Sequence, residues 1–354
     1  MTAELFTRLS YDNMLDVDIP YPRYWSLNEK VADSLSVDWQ AFIVKTTRQF
    51  TSSQCPNRCG YCPSKFLTRA QGFAAGRRTL RPEQSLELIR RDWERYGCDM
   101  VLFNDEEFLC DKKTAGELAC LIIQAKKDGR LPAGLCFQCQ SRVVDFLTGG
   151  RADREFLALL EAAGFNRISL GVENICPRLL AVPAMNKAQY SAAEVSDIVG
   201  AFLETSVTLH LNFMLLVPET TREELSQNLE FILSLLKKKV MVLLNLHILA
   251  APGAPAVDSG AYEMDLKTVV SPLNGRRLVL PDRFLVRDPE LRATLSRLDQ
   301  TIEEITGAYL SRRGRREKAI SQTHRAAIAC LALAGVLGED ELRADFEGLL
   351  EDLG

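Results

Sequence analysis

Short apolar runs of strand length alternate with amphipathic helical patterns along the middle of this chain. The six runs that we interpret as strands cover residues 41–47, 99–104, 135–142, 167–173, 207–216 and 240–249. Strands that alternate with helices are typical of βα units, in which successive strands run parallel. The pattern therefore predicts an α/β fold with a partial TIM-like (β/α)6 barrel over residues 41–255.

Local signals predict where several of the helices begin and end. Pro82 suits the first turn of a helix, and Gly97 can close that helix in a left-handed conformation. Capping boxes are predicted from the spacing of Ser or Thr and Glu at two further helix starts, Ser191 with Glu194 and Thr220 or Thr221 with Glu223 or Glu224.

The pattern changes on either side of the predicted barrel. Residues 1–40 are polar and irregular, and we expect them to form an N-terminal extension along the barrel edge. Residues 256–287 resemble an irregular linker, after which Asp288 is a candidate N-cap. Helical stretches are then predicted over 289–311, 316–335 and 338–353. Residues 256–354 thus form a linker and a C-terminal helical region in this prediction.

Composition and charge exclude several classes of protein. Hydrophobic residues make up 47% of the 354 and charged residues 25%, which is typical of a globular protein. The longest apolar runs contain His, Asn or Lys and are shorter than a membrane span, so we expect no membrane partner. A net charge of −4 gives no broad basic field, and we expect no nucleic-acid partner. Residues 1–30 lack a secretion signal, which predicts a cytoplasmic protein with reduced cysteines.

Three of the ten cysteines lie within eight residues, directly after the first predicted strand. Cys55, Cys59 and Cys62 would stand at the carboxyl ends of the barrel strands, where α/β barrels carry their active sites. Three thiolates at this spacing can hold one iron–sulfur cluster and leave one iron open to another ligand. A structural zinc site would ordinarily use four protein ligands.

The C-x3-C-x-aromatic-C spacing resembles that of the radical S-adenosylmethionine superfamily. The resemblance continues through four further stretches, SLGVEN (169–174), LLAVPAMNK (179–187), HLNFMLLVPETTREEL (210–225) and HILAAPGAPA (247–256). It implies one 4Fe–4S cluster on Cys55, Cys59 and Cys62, with S-adenosylmethionine as the second cofactor. In that family the reduced cluster cleaves S-adenosylmethionine to methionine and a 5′-deoxyadenosyl radical.

The same resemblance implies which other residues bind the cofactors. An acid after the second strand accepts from the methionine amino group, and of the acids at 105–107 we assign Asp105 and Glu106. Lys187 would face the methionine carboxylate. The other implied cofactor-binding residues are Tyr61, Ser169, Glu173, Asn212, Leu216 and Pro218, with Asn212 at the ribose and the Leu216–Pro218 backbone at the adenine.

Strand alternation also predicts polar side chains on the face that points away from the helices. The side chains concerned are Gln138, Gln140, Arg142, His210, Asn212, Asn245 and His247. A polar inner face in a parallel barrel indicates a polar occupant. We therefore assign Arg142 to cofactor binding, and His210 and His247 as catalytic, substrate-facing candidates.

Together these features predict a radical S-adenosylmethionine enzyme that abstracts hydrogen from a small polar molecule. We expect a role in natural-product or cofactor biosynthesis, and a flavodoxin- or ferredoxin-type electron donor. Two alternatives stay open. One is a radical methyltransferase that takes cobalamin from solution or from a partner chain, since about forty residues before the first strand are too few for a cobalamin domain. The other is a non-catalytic iron–sulfur or zinc protein.

Overall fold

The structure is a computed structural model that describes residues 19–26, 45–53, 55–66, 79–188, 190–270, 275–313 and 320–353. Of the predicted N-terminal extension, only residues 19–26 are described, and they contain a helix over 21–26. The Tyr21 hydroxyl and the Trp25 indole N–H donate to the carbonyls of Arg48 and Thr46, at 3.0 and 3.1 Å. This helix is therefore attached to the first strand. Residues 41–44 of the first predicted strand lie outside the described residues.

Six strands form one sheet in the order in which they occur along the chain. They are β1 (Thr46–Gln49), β2 (Met100–Phe103), β3 (Cys136–Arg142), β4 (Phe165–Glu173), β5 (Thr208–Leu216) and β6 (Met241–His247). The pairs β1–β2, β2–β3, β3–β4 and β5–β6 are parallel. The predicted partial TIM-like barrel is confirmed, and β2 to β6 begin and end within two residues of the predicted positions.

Helices connect the strands. They are α1 (Pro82–Tyr96), α2 (Lys112–Lys127), α3 (Arg154–Ala163), α4 (Ala192–Leu203) and α5 (Arg222–Lys237). The predicted helix ends are confirmed where they were assigned. Gly97 closes α1 with a φ of 63°. Reciprocal hydrogen bonds join Ser191 to Glu194 and Thr221 to Glu224 at the starts of α4 and α5.

The chain divides into two compact units. The first comprises residues 1–56, 68–171 and 196–209, and the second comprises residues 57–67, 172–195 and 210–354. In the first unit, four phenylalanine rings stack beneath the sheet with centroids 4.1 to 6.0 Å apart, namely Phe103, Phe108, Phe137 and Phe165. The Lys126 ammonium of α2 lies 5.3 Å from the Phe137 ring, which identifies this as the helix-covered face.

The C-terminal part of the second unit differs from the prediction. The expected irregular linker contains an antiparallel hairpin, β7 (Met264–Val270) and β8 (Arg277–Phe284), so that prediction was wrong. The helices α6 (Pro289–Leu295), α7 (Leu298–Arg313), α8 (Gln322–Leu337) and α9 (Asp340–Asp352) follow. Asp288 caps α6 as predicted, but the stretch expected to be one helix over 289–311 is two helices.

Candidate active site

The three cysteines of the motif lie in the loop after β1, and each is partly buried. All ten cysteines are among the described residues, and none is in a disulfide. Burial raises the pKa of the Cys59 thiol. In the described part of the chain, no three His, Cys, Asp or Glu side chains converge on one metal-sized point. The donor set, three thiols within eight residues, nevertheless fits a cluster that takes three protein ligands.

Gly60 holds the cysteine loop against the segment 182–187. Its N–H donates to the Met185 carbonyl at 2.9 Å, and its own carbonyl accepts from the Ala256 N–H at 2.9 Å. A Cβ at position 60 would lie 1.9 Å from the Pro183 carbonyl oxygen, so only glycine fits this approach. The Asn186 amide also donates to the Arg58 carbonyl at 2.7 Å. Segment 182–187 belongs to the stretch 179–187 that resembles a family motif. It therefore packs against the cysteine loop and supports it.

Tyr61, Glu173 and Lys187 form one cluster beside this loop. The Lys187 ammonium lies 2.5 Å from Glu173 Oε1, and the Tyr61 hydroxyl donates to the same oxygen at 3.3 Å. Burial and the neighbouring carboxylate raise the pKa of Tyr61, so the phenol keeps its proton. All three were predicted as cofactor-binding residues, and the structure places Tyr61 and Lys187 on the same carboxylate oxygen of Glu173.

Asp105 holds the chain that leads to the cysteines. Its buried carboxylate accepts from the Thr51 N–H at 3.0 Å and from the Ser52 N–H at 2.6 Å, and both hydroxyls donate to it as well. These two N–H and two O–H donors use the hydrogen-bonding capacity of both carboxylate oxygens. These contacts give Asp105 the role of positioning residues 51 and 52, and they do not support its assignment to cofactor binding.

Glu106, the next acid, has the exposure that Asp105 lacks. Its side chain is exposed, and Oε2 accepts from the Cys55 N–H at 3.0 Å. A carboxylate beside the first cysteine can accept from a ligand ammonium. Of the two acids that the sequence offered for this role, the geometry favours Glu106.

Arg142 is engaged by two acids of its own unit. Its guanidinium lies 2.9 Å from the buried Glu107 and 2.8 Å from Asp145, and the Ser141 hydroxyl lies 2.9 Å from both acids. Burial and the Asp145 charge raise the pKa of Glu107 to about 8. The sequence did not reveal this role of Glu107, and the assignment of Arg142 to cofactor binding finds no support in these contacts. The local signal in the sequence for this cluster was the three-residue spacing of Arg142 and Asp145, which lets the two side chains pair.

The inner faces of β4 and β5 carry the predicted polar residues. Ser169 and Gly171 are partly exposed, whereas Ile168, Leu170 and Val172 between them are buried, as alternation predicts. Glu173 departs from this alternation, because it is buried and has a φ of 59°. On β5, Asn212 is partly exposed and His210 is buried.

His210 and His247 do not come together. In the β5–β6 register His210 pairs with Met241, whereas His247 pairs with Leu216, six residues further along. The rise along a strand puts the two histidines about 20 Å apart. Near the carboxyl end of β6, His247 Nε2 lies 3.0 Å from Arg283 Nη1.

Arg283 belongs to the hairpin strand that the sequence did not reveal. It also pairs with Asp265 and Asp299, at 2.9 and 2.8 Å. Burial and the Arg283 charge lower the pKa of His247 to about 4, so the imidazole is neutral at pH 7.

The backbone after β5 is fixed by its own turn. Leu216 and Pro218 are buried, and the Pro218 carbonyl accepts from the Arg287 N–H at 2.7 Å. The Thr220 hydroxyl accepts from the Val217 N–H and donates to the Leu215 carbonyl. The predicted adenine-binding segment is thus a rigid turn at the carboxyl end of the strand.

Comparison with solved structures shows the fold. The radical S-adenosylmethionine methyltransferase TsrM from Kitasatospora setae, solved with tryptophan and a cofactor analogue, aligns with a TM-score of 0.56 and 15% identity, over 87% of this chain and 61% of that one. The cobalamin-dependent radical enzyme OxsB aligns with a TM-score of 0.52 and 15% identity, over 86% and 54%. This chain therefore spans about three-fifths or less of these two proteins. No curated protein matches it in sequence.

No helix in the described ranges has the length and apolar character needed to cross a membrane.

The sequence itself identifies the family. The profile of the radical SAM superfamily matches residues 50–232, which is more than half of the chain and includes the cysteine loop and the Glu173–Lys187 pair. The chain is thus an enzyme and belongs to the radical SAM superfamily, whose members use a 4Fe–4S cluster and S-adenosylmethionine.

Proposed function

We propose that this chain holds its 4Fe–4S cluster through Cys55, Cys59 and Cys62 and abstracts hydrogen from a small polar substrate. The bound cluster would supply the electron that cleaves S-adenosylmethionine to the abstracting 5′-deoxyadenosyl radical. The observation that carries this proposal is the three-thiol loop. Gly60 holds this loop to segment 182–187 by a hydrogen bond, at an approach too close for any Cβ. A tightly held loop keeps ligands at a fixed geometry.

The residues around the loop would orient S-adenosylmethionine by charge. Glu106 presents an exposed carboxylate beside Cys55, which suits the methionine ammonium. Lys187, held by Glu173, carries a positive charge that suits the methionine carboxylate. Because Tyr61 donates to Glu173, the pair keeps one orientation before the cofactor binds.

The remaining parts of the function are proposals from the sequence. We propose a role in natural-product or cofactor biosynthesis, and an electron donor of the flavodoxin or ferredoxin type. The cytoplasm is the proposed location. Ser169 and Asn212 line the strand faces on which a small polar substrate would lie.

A second candidate function has one observation in its favour. TsrM is named a methyltransferase and OxsB a cobalamin-dependent enzyme, and both share the fold of this chain. A radical methyltransferase that takes cobalamin from solution or from a partner chain would be consistent with this. Cobalamin that stays bound through gel filtration after anaerobic reconstitution would favour this second function. Protein that emerges without cobalamin would favour hydrogen abstraction alone.

A cysteine pair tests the first proposal. Wild-type protein reconstituted without oxygen should contain about four irons and four sulfides per chain. Its electron paramagnetic signal should change when S-adenosylmethionine is added. Cys59→Ala should lose the cluster and all formation of 5′-deoxyadenosine. Cys120→Ala, at an exposed thiol of α2, should keep both. Zinc in place of iron, or cleavage that survives Cys59→Ala, would overturn the proposal.

A further inference from the structure

A bulge in β4 turns one arginine onto the inner face of the first unit. Phe137 of β3 pairs with Phe165 of β4, but the next residue, Gln138, pairs with Arg167, so Asn166 is an extra residue. Phe165 lies in the phenylalanine stack on the helix-covered face. Without the bulge, Arg167 would share that face, because side chains two apart on a strand point the same way. The bulge therefore aims a guanidinium to the inner side.

Arg167 is a partly buried cation that has no partner in the described part of the chain. Among the described residues, no hydrogen bond, ion pair or ring contact involves its side chain, and burial is the one cause that lowers its pKa. Glu107 and Asp145, two buried acids of the same unit, are paired with Arg142. A half-buried guanidinium that loses water without gaining an acid is unfavourable unless a ligand completes it.

The immediate neighbours of Arg167 are neutral and polar. Its register row contains no acid: Gln138 lies beside it, followed by Leu102 and, three strands away, Arg48, whose guanidinium donates to Asn104 Oδ1 at 3.2 Å. Gln138 donates to the Asn166 side chain at 3.3 Å, and its Oε1 is buried without a hydrogen-bond partner. The next row holds Gln140 and Ser169, which are neutral as well. One guanidinium among amides and a hydroxyl matches a single negative charge, since a phosphate dianion would need further cations.

We infer that Arg167 binds a carboxylate of the substrate on the inner face of the sheet, with Ser169 and Gln140 as its polar surroundings. This inference rests on the proposed function in one respect, namely that the inner face receives the substrate. It narrows the substrate class to small molecules that carry a carboxylate. Arg167 would then set the orientation of the substrate, and therefore which part of the substrate is presented for reaction.

Ligand-observed NMR tests the inference on the reconstituted full chain. Saturation-transfer spectra are recorded with pooled carboxylates, namely the twenty amino acids with acetate, pyruvate and benzoate. The best-bound acid is then compared with its amide. Removal of the carboxylate charge should weaken binding about ten- to hundredfold, the value of a charge-assisted bidentate contact. Arg167→Gln should weaken binding of the acid by the same factor and abolish the preference for acid over amide.

Two controls separate the outcomes. Arg130→Gln, at an exposed arginine of the first unit paired with Asp128, should bind the acid as wild type does. Arg167→Lys should retain part of the preference, because it keeps the charge but not the bidentate geometry. The acid–amide comparison in wild type needs no variant, so it holds even if Arg167→Gln fails to fold.

Several results would overturn the inference. They are an amide that binds as well as its acid, Arg167→Gln with an unchanged preference, tighter competition by inorganic phosphate than by any carboxylate, and no bound carboxylate at all. If Arg167→Gln also loses the change in cluster signal on adding S-adenosylmethionine, Arg167 holds the cofactor and the inference is wrong. Failure of the proposed function is distinct, because it appears as missing iron or a missing signal change in wild type.

Discussion

Gly60→Ala is the substitution that most directly tests the support of the cysteine loop. An added Cβ would lie 1.9 Å from the Pro183 carbonyl oxygen and 2.7 Å from that of Ala184. Real Cβ contacts essentially never fall below 3.0 Å, and both opposing atoms are backbone. The loop and segment 182–187 must therefore separate by about 1.1 Å, the difference between 3.0 and 1.9 Å.

This movement breaks the contacts that fasten the loop. The hydrogen bonds from Gly60 to Met185 and from Ala256 to Gly60 are each worth about 1 kcal/mol, so the loop loses about 2 kcal/mol of local stability. Cys59 precedes the substituted residue directly, and Cys62 lies two residues after it. A misplacement of about 1 Å at a reactive centre costs on the order of a hundredfold in rate.

The assay measures cluster content and chemistry separately. Iron and sulfide per chain are determined after anaerobic reconstitution, and 5′-deoxyadenosine is measured by chromatography in the presence of dithionite. Gly60→Ala should bind less iron and form 5′-deoxyadenosine about 10 to 100 times more slowly.

Gly200→Ala, in α4, is the matched control, because an added Cβ there meets nothing within 4 Å. It should keep full iron and rate, with a helix more stable by about 0.5–1 kcal/mol. Gly60→Ala with the iron content and rate of wild type would refute the account of how the loop is held.

Two further predictions concern buried acids of the first unit. Asp105→Asn should lower the free energy of unfolding by about 2–3 kcal/mol in urea titrations, because an amide cannot accept from the Thr51 and Ser52 donors with both of its polar atoms. An unchanged midpoint would contradict this role, and Glu106→Gln, at an exposed acid, serves as its control. Glu107 has a pKa raised from 4.5 to about 8, so above pH 4.5 the unfolded chain binds fewer protons than the folded one. The contribution of Glu107 is complete below pH 4.5 and falls as the pH rises to about 8. Glu107→Gln should lack this decline in unfolding measurements at pH 5.5 and 8.5, and equal declines in both proteins would show that Glu107 is ionised in the fold.

The barrel was predictable because its signals are local. Each strand is a short apolar run, and capping residues such as Ser191 and Thr221 act within one helical turn. The hairpin β7–β8 carries no such signal. Leu266, Val270 and Val279 are exposed on it, so its apolar residues do not alternate with a buried face. A strand pair without a buried face has no period-two pattern to read.

For the candidate site, the sequence motif names some residues directly, whereas other choices depend on partners that are distant along the chain. Cys55, Cys59 and Cys62 follow from spacing alone. The choice between Asp105 and Glu106 depended on residues 51 and 52, more than fifty positions earlier. No local pattern shows that the hydroxyls and amides there would occupy one acid and leave the next exposed.

Backbone departures explain the other limits of alternation in β4. Strict alternation would put Arg167 with Phe165 and Glu173 with Gly171, but the bulge at Asn166 and the positive φ of Glu173 break it at both ends. A left-handed glutamate costs about 1 kcal/mol or more. The ion pair with Lys187 offsets this cost only because the turn swings the carboxylate from the strand face toward the cysteine loop. Arg167, which we place at the substrate, and Glu173, which holds the cofactor-facing Lys187, are thus both oriented by the one or two residues at which the strand stops being regular.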